Sequence, residues 1–315
     1  MNCFCCGKPL KTENESGWHK ACIKRFFGTT IIPNIDIDEK TLEMLAAEST
    51  SKGLTVPGVQ KKLSLHLHSE SGQPRLTLVN YPTGYILKPQ VNEFEALPEA
   101  EQLVMCMADV SGISTVPHAL VRSGNDLAYI TKRVDRIIHG TDVKKLAMED
   151  FCQLDLRLTV DKYKGSYERC SKVIKTYSSQ EGLDMAELFM RLVFSFVVGN
   201  SDMHLKNFSL IETAEGSSIY ILSPAYDLLP VNVIMPEDNE EFALAFNGKK
   251  NRIRKLDFLA FADKCGITKA SAEKMIAKIV SMKPKYIEMC SNSNLPEHLK
   301  ESFVELINNR CMVLE

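Results

Sequence analysis

Apolar positions along this chain follow two different rhythms. Between about residues 54 and 134 they come in short runs broken by turn residues, which is the pattern of strands. The stretch Leu54 to Leu65 ends in strand-like alternation. Arg75 to Val79 and Tyr85 to Pro89 flank a turn at Pro82-Thr83-Gly84, and Val116 to Val121 and Leu127 to Val134 flank Arg122-Ser123-Gly124-Asn125-Asp126. Helical spacing interrupts this region. It predicts helices at His19 to Phe27, stopped by Gly28, at Glu39 to Ala47 on the apolar residues Leu42, Met44 and Leu45, and at Pro98 to Ser111, stopped by Gly112. From residue 150 onward the helical rhythm prevails: Tyr167 to Tyr177 with Ser166 as cap, Asp184 to Val198, Lys255 to Phe261, Lys269 to Ser281 and Glu297 to Val313. Leu192 to Val198 is apolar on nearly every face and belongs at the centre of that half. One hairpin breaks the helical run, with strands Phe208 to Glu212 and Ile219 to Leu222 around a turn at Ala214-Glu215-Gly216-Ser217. The segment Lys145 to Gln153 marks the change of rhythm. The pattern predicts an α+β chain in three parts: an N-terminal segment 1–30, a sheet-rich half 31–147 and a helical half 148–315.

Composition narrows the function classes. At 315 residues the chain can form two substantial cores. With 25% charged residues and a net charge of −2, bulk electrostatics give no case for binding nucleic acid or a membrane surface. No apolar run has the length of a membrane span, and Met1-Asn2-Cys3 opens without a basic and apolar leader, so a cytoplasmic location is expected; export into another cell is not addressed by the sequence. The ten cysteines do not form a disulfide framework in a chain of this kind. Four N-terminal residues, Cys3, Cys6, His19 and Cys22, follow the spacing C-x2-C-x12-H-x2-C. Thiolate and imidazole ligands at such spacing suit a closed structural zinc site, with Cys5 as a spare; the alternative is reduced thiols packed around the turn Gly7-Lys8-Pro9.

The densest chemistry lies in Gly199-Asn200-Ser201-Asp202-Met203-His204-Leu205-Lys206-Asn207. Asp202 and Asn207 are separated by four residues, and Asp227 follows beyond the hairpin. Phosphoryl transfer asks for those residue types: a carboxylate beside the incoming hydroxyl, and hard oxygen donors for magnesium. An Asp after a helix also serves as a simple cap, but five polar groups converging on one place call for a chemical role. The arrangement predicts a two-lobed protein-kinase-like fold with a sheet-rich N-lobe and a helical C-lobe. Elsewhere, Pro57-Gly58-Val59-Gln60-Lys61-Lys62 reads either as a phosphate cradle or as a solvated turn. Lys88 reads as a buried cation facing an anion, with Glu101 as a candidate partner, or as an edge-strand lysine. Lys132-Arg133-Val134-Asp135-Arg136 reads as a solvated charged end.

Together these stretches resemble the HipA-like serine/threonine kinases, toxin components of bacterial toxin–antitoxin modules. The likeness covers about residues 55 to 263. It runs through Thr55-x-x-Gly58-x-Gln60-x-Lys62, Tyr85 to Pro89, Lys132 to Arg136, Glu149-Asp150-Phe151-Cys152-Gln153 and Lys162-Tyr163. It continues through Asp202-x-His204-x-Lys206-Asn207-Phe208, Ser223-Pro224-Ala225-Tyr226-Asp227 and Asn247-Gly248-Lys249-Lys250. The chain is short relative to full-length HipA, beginning near where that family's extra N-terminal subdomain ends, and so looks like the compact HipT type. That likeness implies a small HipS-like protein and a DNA-binding HipB-like antitoxin as partners.

The resemblance implies ATP and Mg2+ as cofactors. It makes Asp202 the catalytic base, places His204 and Lys206 near the γ-phosphate, and makes Asn207 and Asp227 magnesium ligands. Pro57, Gly58, Val59, Gln60, Lys61, Lys62 and Lys88 would contact ATP phosphates, with Glu101 steadying Lys88. Glu149, Asp150 and Phe151 would hold adenine, and Leu205 and Tyr226 would complete the nucleotide site. Thr55 matches the family's autophosphorylated loop position. Pro57 stands where HipT-type loops often have a second serine, so Thr55 would act alone. The expected substrate is a protein, with aminoacyl-tRNA synthetases as the family's example. The competing readings are a kinase-shaped binding module without activity and a small-molecule or lipid kinase.

Overall fold

A computed structural model describes residues 2–10, 16–35, 62–68, 75–77, 84–139 and 142–315. The expected helix Glu39 to Ala47, the loop from Thr55 through Lys61, the turn Pro82-Thr83 and the loop at Gly140 lie outside the described residues. Contacts divide the chain into two compact units: Met1–Gln102 with Val116–Val143, and Leu103–Thr115 with Lys144–Glu315. The N-terminal segment 1–30 falls within the first unit.

The first unit is built on a six-stranded sheet. Its strands are β1 (Asn34–Ile35), β2 (Leu63–His68), β3 (Arg75–Thr77), β4 (Tyr85–Pro89), β5 (His118–Ser123) and β6 (Asp126–Lys132), in the order β1-β3-β2-β4-β6-β5. Only β1 pairs in parallel, with β3. β4 lies between β2 and β6, and Tyr85, Leu87 and Lys88 are all buried, as a central strand requires. Helix α1 (Lys20–Phe27) ends at Gly28 in the left-handed conformation. Its Phe26 and Phe27 pack with Trp18 and Tyr85. A further hairpin, β7 (Arg136–His139) with β8 (Asp142–Lys145), occupies a stretch that the sequence reads as a charged end and loop. Helix α2 (Leu97–Ser111) is divided between the two units.

Around one buried helix, α5 (Glu181–Val198), the second unit assembles its core, and every residue from Leu188 to Val198 is buried. Helices α4 (Tyr167–Tyr177), α7 (Lys255–Lys264), α8 (Lys269–Ser281) and α10 (Glu297–Leu314) match the periodicity. Ser166 takes the position before α4, but its side chain makes no capping bond. Helix α9 (Lys283–Ser291) was not expected; Pro284 sits in its first turn, where the missing N–H costs no bond. Tyr167, Phe196, Phe242, Phe246 and Phe258 form an edge-to-face aromatic cluster beneath the loop that follows α5. A three-stranded sheet, β11-β10-β9, completes the unit, from β9 (Met148–Asp150), β10 (Ser209–Glu212) and β11 (Tyr220–Leu222). The short helices α3 (Phe151–Leu154) and α6 (Val231–Ile234) fill connections.

Candidate active site

Helix α5 delivers the loop Asn200–Asn207. Gly199 ends the helix at φ 69°, and a Cβ there would lie 2.9 Å from Leu306 Cδ2, so the turn requires glycine on both conformational and steric grounds. Met203 and Leu205 are buried at 1% and 0%, while Asp202 and Lys206 keep partial exposure. Tyr167 Oη donates to the Met203 carbonyl at 3.0 Å, and Leu205 N–H to the Lys162 carbonyl at 3.2 Å. The two buried side chains and two bonds clamp the loop; His204 between them is buried against Tyr163, and Asp202 and Lys206 on either side keep partial exposure.

Tyr163 donates from its hydroxyl to Asp202 Oδ1 at 2.7 Å, and its ring meets His204 edge to face. The Lys162 ammonium lies over the Tyr163 ring. Burial pushes the Asp202 carboxyl up to about 6; the Tyr163 hydrogen bond and Lys162 pull the other way, and the charges of Asp227 and Asp238 push it further up. Asn207 Nδ2 donates to the Asp227 carbonyl at 3.4 Å, while buried Asn207 Oδ1 has no hydrogen-bond partner among the described residues. Asp202, Asn207 and Asp227 thus come together within one unit.

Supporting bonds fix each flank. Lys206 Nζ pairs with Asp150 Oδ2 at 2.5 Å. Asp150 also caps α3 in a reciprocal box with Gln153. Tyr226 bridges the Ser209 hydroxyl and the Lys206 carbonyl at 2.6 and 3.0 Å. Arg191, 1% exposed, donates to the Ser223 carbonyl and pairs with Glu187, which fixes the strand exit that leads to Asp227. Asp227 itself sits at φ 56°, a conformation uncommon for a residue with a side chain and found most often where function sustains it.

Several expectations need revision. Leu205 and Phe151, carried over as nucleotide contacts, are both 0% exposed; Phe151 stacks on Phe208, and its N–H is taken by the Phe208 carbonyl at 2.9 Å. Their side chains anchor the unit and cannot touch a ligand. The solvated reading of Lys132 to Arg136 fails because Asp135 is 7% exposed. Burial pushes its carboxyl up, but bidentate Arg133, with Arg136, more than offsets this and holds it below the usual range. Lys88 is no edge lysine: it is 3% exposed, and Nζ meets Glu101 Oε1 at 2.5 Å with Glu101 1% exposed. That pair lies in the first unit. Thr55 and Pro57 to Lys61 lie outside the described residues, and Lys62 is exposed at the start of β2. Cys3, Cys6, His19 and Cys22 do converge, with one ligand atom from each lying within 4.8 Å of the others. Tyr163 was missed as a functional residue; its only sequence signal was the dipeptide Lys162-Tyr163.

A family model described as the HipA-like C-terminal domain matches residues 54–286. The chain belongs to this family. The HipA-like chain is 27% identical over 294 residues to a Haemophilus influenzae protein provisionally named a kinase, covering 84% of this chain and 82% of that protein. A Sinorhizobium fredii protein, Y4dM, also provisionally named a kinase, is 32% identical over 229 residues, but the match spans only 53% of its length. Among solved structures, Shewanella oneidensis HipA, from a toxin–antitoxin complex with HipB and operator DNA, aligns with a TM-score of 0.69 at 21% identity. That alignment covers 82% of this chain and 64% of HipA. The Helicobacter pylori proinflammatory kinase CtkA aligns with a TM-score of 0.57 at 17% identity, covering 80% of this chain and 93% of that one. The HipA-like chain therefore has a kinase fold of mixed helix and sheet. Among the described residues no helix is long and apolar enough to cross a membrane.

Proposed function

We propose that this HipA-like chain is an ATP- and magnesium-dependent serine/threonine protein kinase in which Asp202 is the base. The observation that carries the reading is the Asp202 carboxylate, held through Oδ1 by Tyr163 and pushed up to about 6, in the same loop as the buried Asn207 Oδ1, which has no hydrogen-bond partner among the described residues. With Oδ1 engaged, Oδ2 is left to accept the proton of an incoming hydroxyl, and an affinity near 6 suits a base working near neutral pH. Asn207 Oδ1 and the Asp227 carboxylate are hard oxygen donors, and an orphaned buried oxygen is what a cation would satisfy. These residues fit magnesium, which when bound draws negative charge off the transferring phosphoryl group. Lys206 is steered by Asp150 as a phosphate-facing cation.

The finer reading follows the family. The acceptor is a serine or threonine of a translation protein, an aminoacyl-tRNA synthetase being the leading class, and Thr55 takes phosphate from the chain's own site. A phosphate at Thr55 adds nearly two negative charges to the loop assigned to ATP phosphates, which opposes nucleotide binding. The solved HipA relative sits with HipB on operator DNA, which supports an antitoxin partner for this chain; a HipS-like companion and a cytoplasmic toxin role complete the proposal.

Incubating wild type and Asp202→Asn with labelled ATP, magnesium and bacterial lysate tests it. Wild type should label one protein band at serine or threonine and its own Thr55, and Asp202→Asn should be slower by about 10²–10⁴-fold. No label with wild type would leave a binding module, and label only on a low-mass product would leave a small-molecule kinase; either result overturns the proposal.

A further inference from the structure

The N-terminal segment holds a cluster that phosphoryl transfer does not use. Cys3 and Cys6 flank a tight turn closed by Gly7 N–H on the Cys3 carbonyl at 2.9 Å and Cys3 N–H on the Lys8 carbonyl at 2.8 Å. His19 stands at the head of α1 and Cys22 in its first turn. His19 Nδ1 lies 3.5 Å from Cys6 Sγ and 3.9 Å from Cys22 Sγ. A tetrahedral zinc with bonds of about 2.3 Å to sulfur and about 2.0 Å to nitrogen has S···N edges of about 3.6 Å. The two S···N separations lie near that edge, and all four ligand atoms fall within 4.8 Å of one another, close enough to share one ion.

The surroundings complete the case. His19 Nε2 lies 3.1 Å from the Pro9 carbonyl. A carbonyl can only accept, so the ring proton sits on Nε2 and Nδ1 turns its lone pair toward the three sulfurs. The His19 backbone N–H points at Cys3 Sγ at 3.4 Å, which suits a sulfur carrying charge. Cys5 is buried and faces the Arg25 guanidinium at 4.0 Å, outside the four-residue set.

We propose that Cys3, Cys6, His19 and Cys22 bind one structural zinc ion through three sulfurs and Nδ1. Binding displaces three thiol protons, released to solvent as the three Zn–S bonds form, and leaves a tetrahedral site with no open position for substrate. The metal ties the segment that carries Cys3 and Cys6 to the one that carries His19 and Cys22. Those segments grip the first unit. Phe4 O accepts from Leu120 N–H at 2.9 Å, Trp18 Nε1 donates to Leu120 O at 3.1 Å, and Gln102 Nε2 donates to both Phe4 O and Cys5 O at 3.1 Å. A Cβ on Gly17, at φ 68°, would lie 2.5 Å from the Phe4 ring, so the two segments meet closely. Gln102 follows Glu101 on α2, so the zinc would also hold the helix turn that presents Glu101 to Lys88. This reading stands apart from the phosphotransfer proposal.

The test uses the full chain, purified without chelator and assayed for bound metal by mass spectrometry. One zinc per chain is expected in wild type, in Cys5→Ser and in Asp202→Asn, with loss of metal in Cys6→Ser and His19→Ala. Cobalt added to reduced, metal-stripped wild type should give thiolate-to-metal charge-transfer bands and tetrahedral ligand-field bands, and X-ray absorption on the zinc form should count three sulfurs and one nitrogen. These wild-type measurements decide the matter even if the ligand variants do not fold. Absence of both zinc and cobalt bands, a disulfide among the four residues, or loss of metal in Cys5→Ser with retention in Cys6→Ser overturns the proposal.

Discussion

Two clusters of charge show opposite solutions to the same problem. Lys88 and Glu101 are nearly inaccessible, at 3% and 1%, and meet as one cation and one anion, so the first unit buries a pair that is neutral as a whole. In the second unit Asp202 feels both Asp227 and Asp238, with Lys162 and the Tyr163 hydroxyl as counterweights. One cluster is closed; the other is short of positive charge. A site left in that state costs stability unless a cation and a reacting group complete it, and that incompleteness, more than any single residue, supports the proposal that the second unit carries the chemistry.

The largest effects come from breaking the open cluster. Asp202→Asn removes the base while keeping an oxygen for Tyr163, and besides its loss of phosphotransfer it should be more stable than wild type at pH 7.5. The sign follows from burial: the carboxyl titrates at about 6 in the folded chain against 3.8 ordinarily, so the folded chain holds the extra proton between those values. Stability therefore falls as pH rises from about 4 to 6, a gap of about two pH units, equivalent to about 3 kcal/mol at most. Thermal unfolding should show a gain of several degrees for Asp202→Asn at pH 7.5 and none at pH 4; equal melting at both values would mean that Asp202 is not buried as described.

Breaking the closed cluster has the opposite signature. Lys88→Met strands the Glu101 carboxylate in the interior and should cost about 3–5 kcal/mol, whereas Lys88→Met with Glu101→Leu should recover most of that loss. Denaturant unfolding of the single and double variants measures the contrast, and a single variant within 1 kcal/mol of wild type would rule out a buried pair. A subtler change is Tyr163→Phe, which deletes a bond that stabilises the charged form of Asp202. The acid limb of the pH–rate profile should move up by about one unit, since a hydrogen bond to a charged group contributes about 1.5–3 kcal/mol. A purely structural role for Tyr163 would lower the plateau and leave the limb where it was.

Local signals made most elements legible. Gly28, Gly112 and Gly199 all stop helices where the sequence places the stops, and the all-round apolar face of Leu192 to Val198 does mark the buried spine. What stayed hidden depends on partners distant in sequence. Tyr163 reaches Asp202 across 39 positions, and nothing local in Lys162-Tyr163 announces a hydrogen bond of that kind. Asp135 reads as solvated because its own segment is charged, yet tertiary packing buries it between two arginines. The hairpin β7–β8 was missed for the same reason: polar strands carry little periodic signal when their pairing supplies the structure. That Asp202, Asn207 and Asp227 lie near one another was legible from their spacing and residue type, on which the phosphotransfer proposal rests; the asymmetry of charge around them required coordinates.

The smallest perturbation measures that asymmetry directly. Asp238 accepts from the Ser201 hydroxyl at 2.7 Å and adds negative charge near Asp202 without touching it. Asp238→Asn keeps an oxygen for the Glu240 N–H, can donate from its amide to the Ser201 hydroxyl oxygen and removes one charge, so Asp202 should titrate a few tenths of a pH unit lower, the scale of a pair separated by more than contact distance in a partly solvated setting. Carbon-detected NMR titration of the aspartate carboxyls, with the chain free of metal and nucleotide, resolves a displacement of that size. Adding magnesium to wild type should move the same resonance in the same direction and further, because a divalent cation beside Asp227 supplies more positive charge than the loss of one carboxylate restores. If Asp238→Asn shifts the titration while magnesium does not, the charge deficit is real but the cation does not bind beside it, and the assignment of Asn207 and Asp227 as its ligands fails.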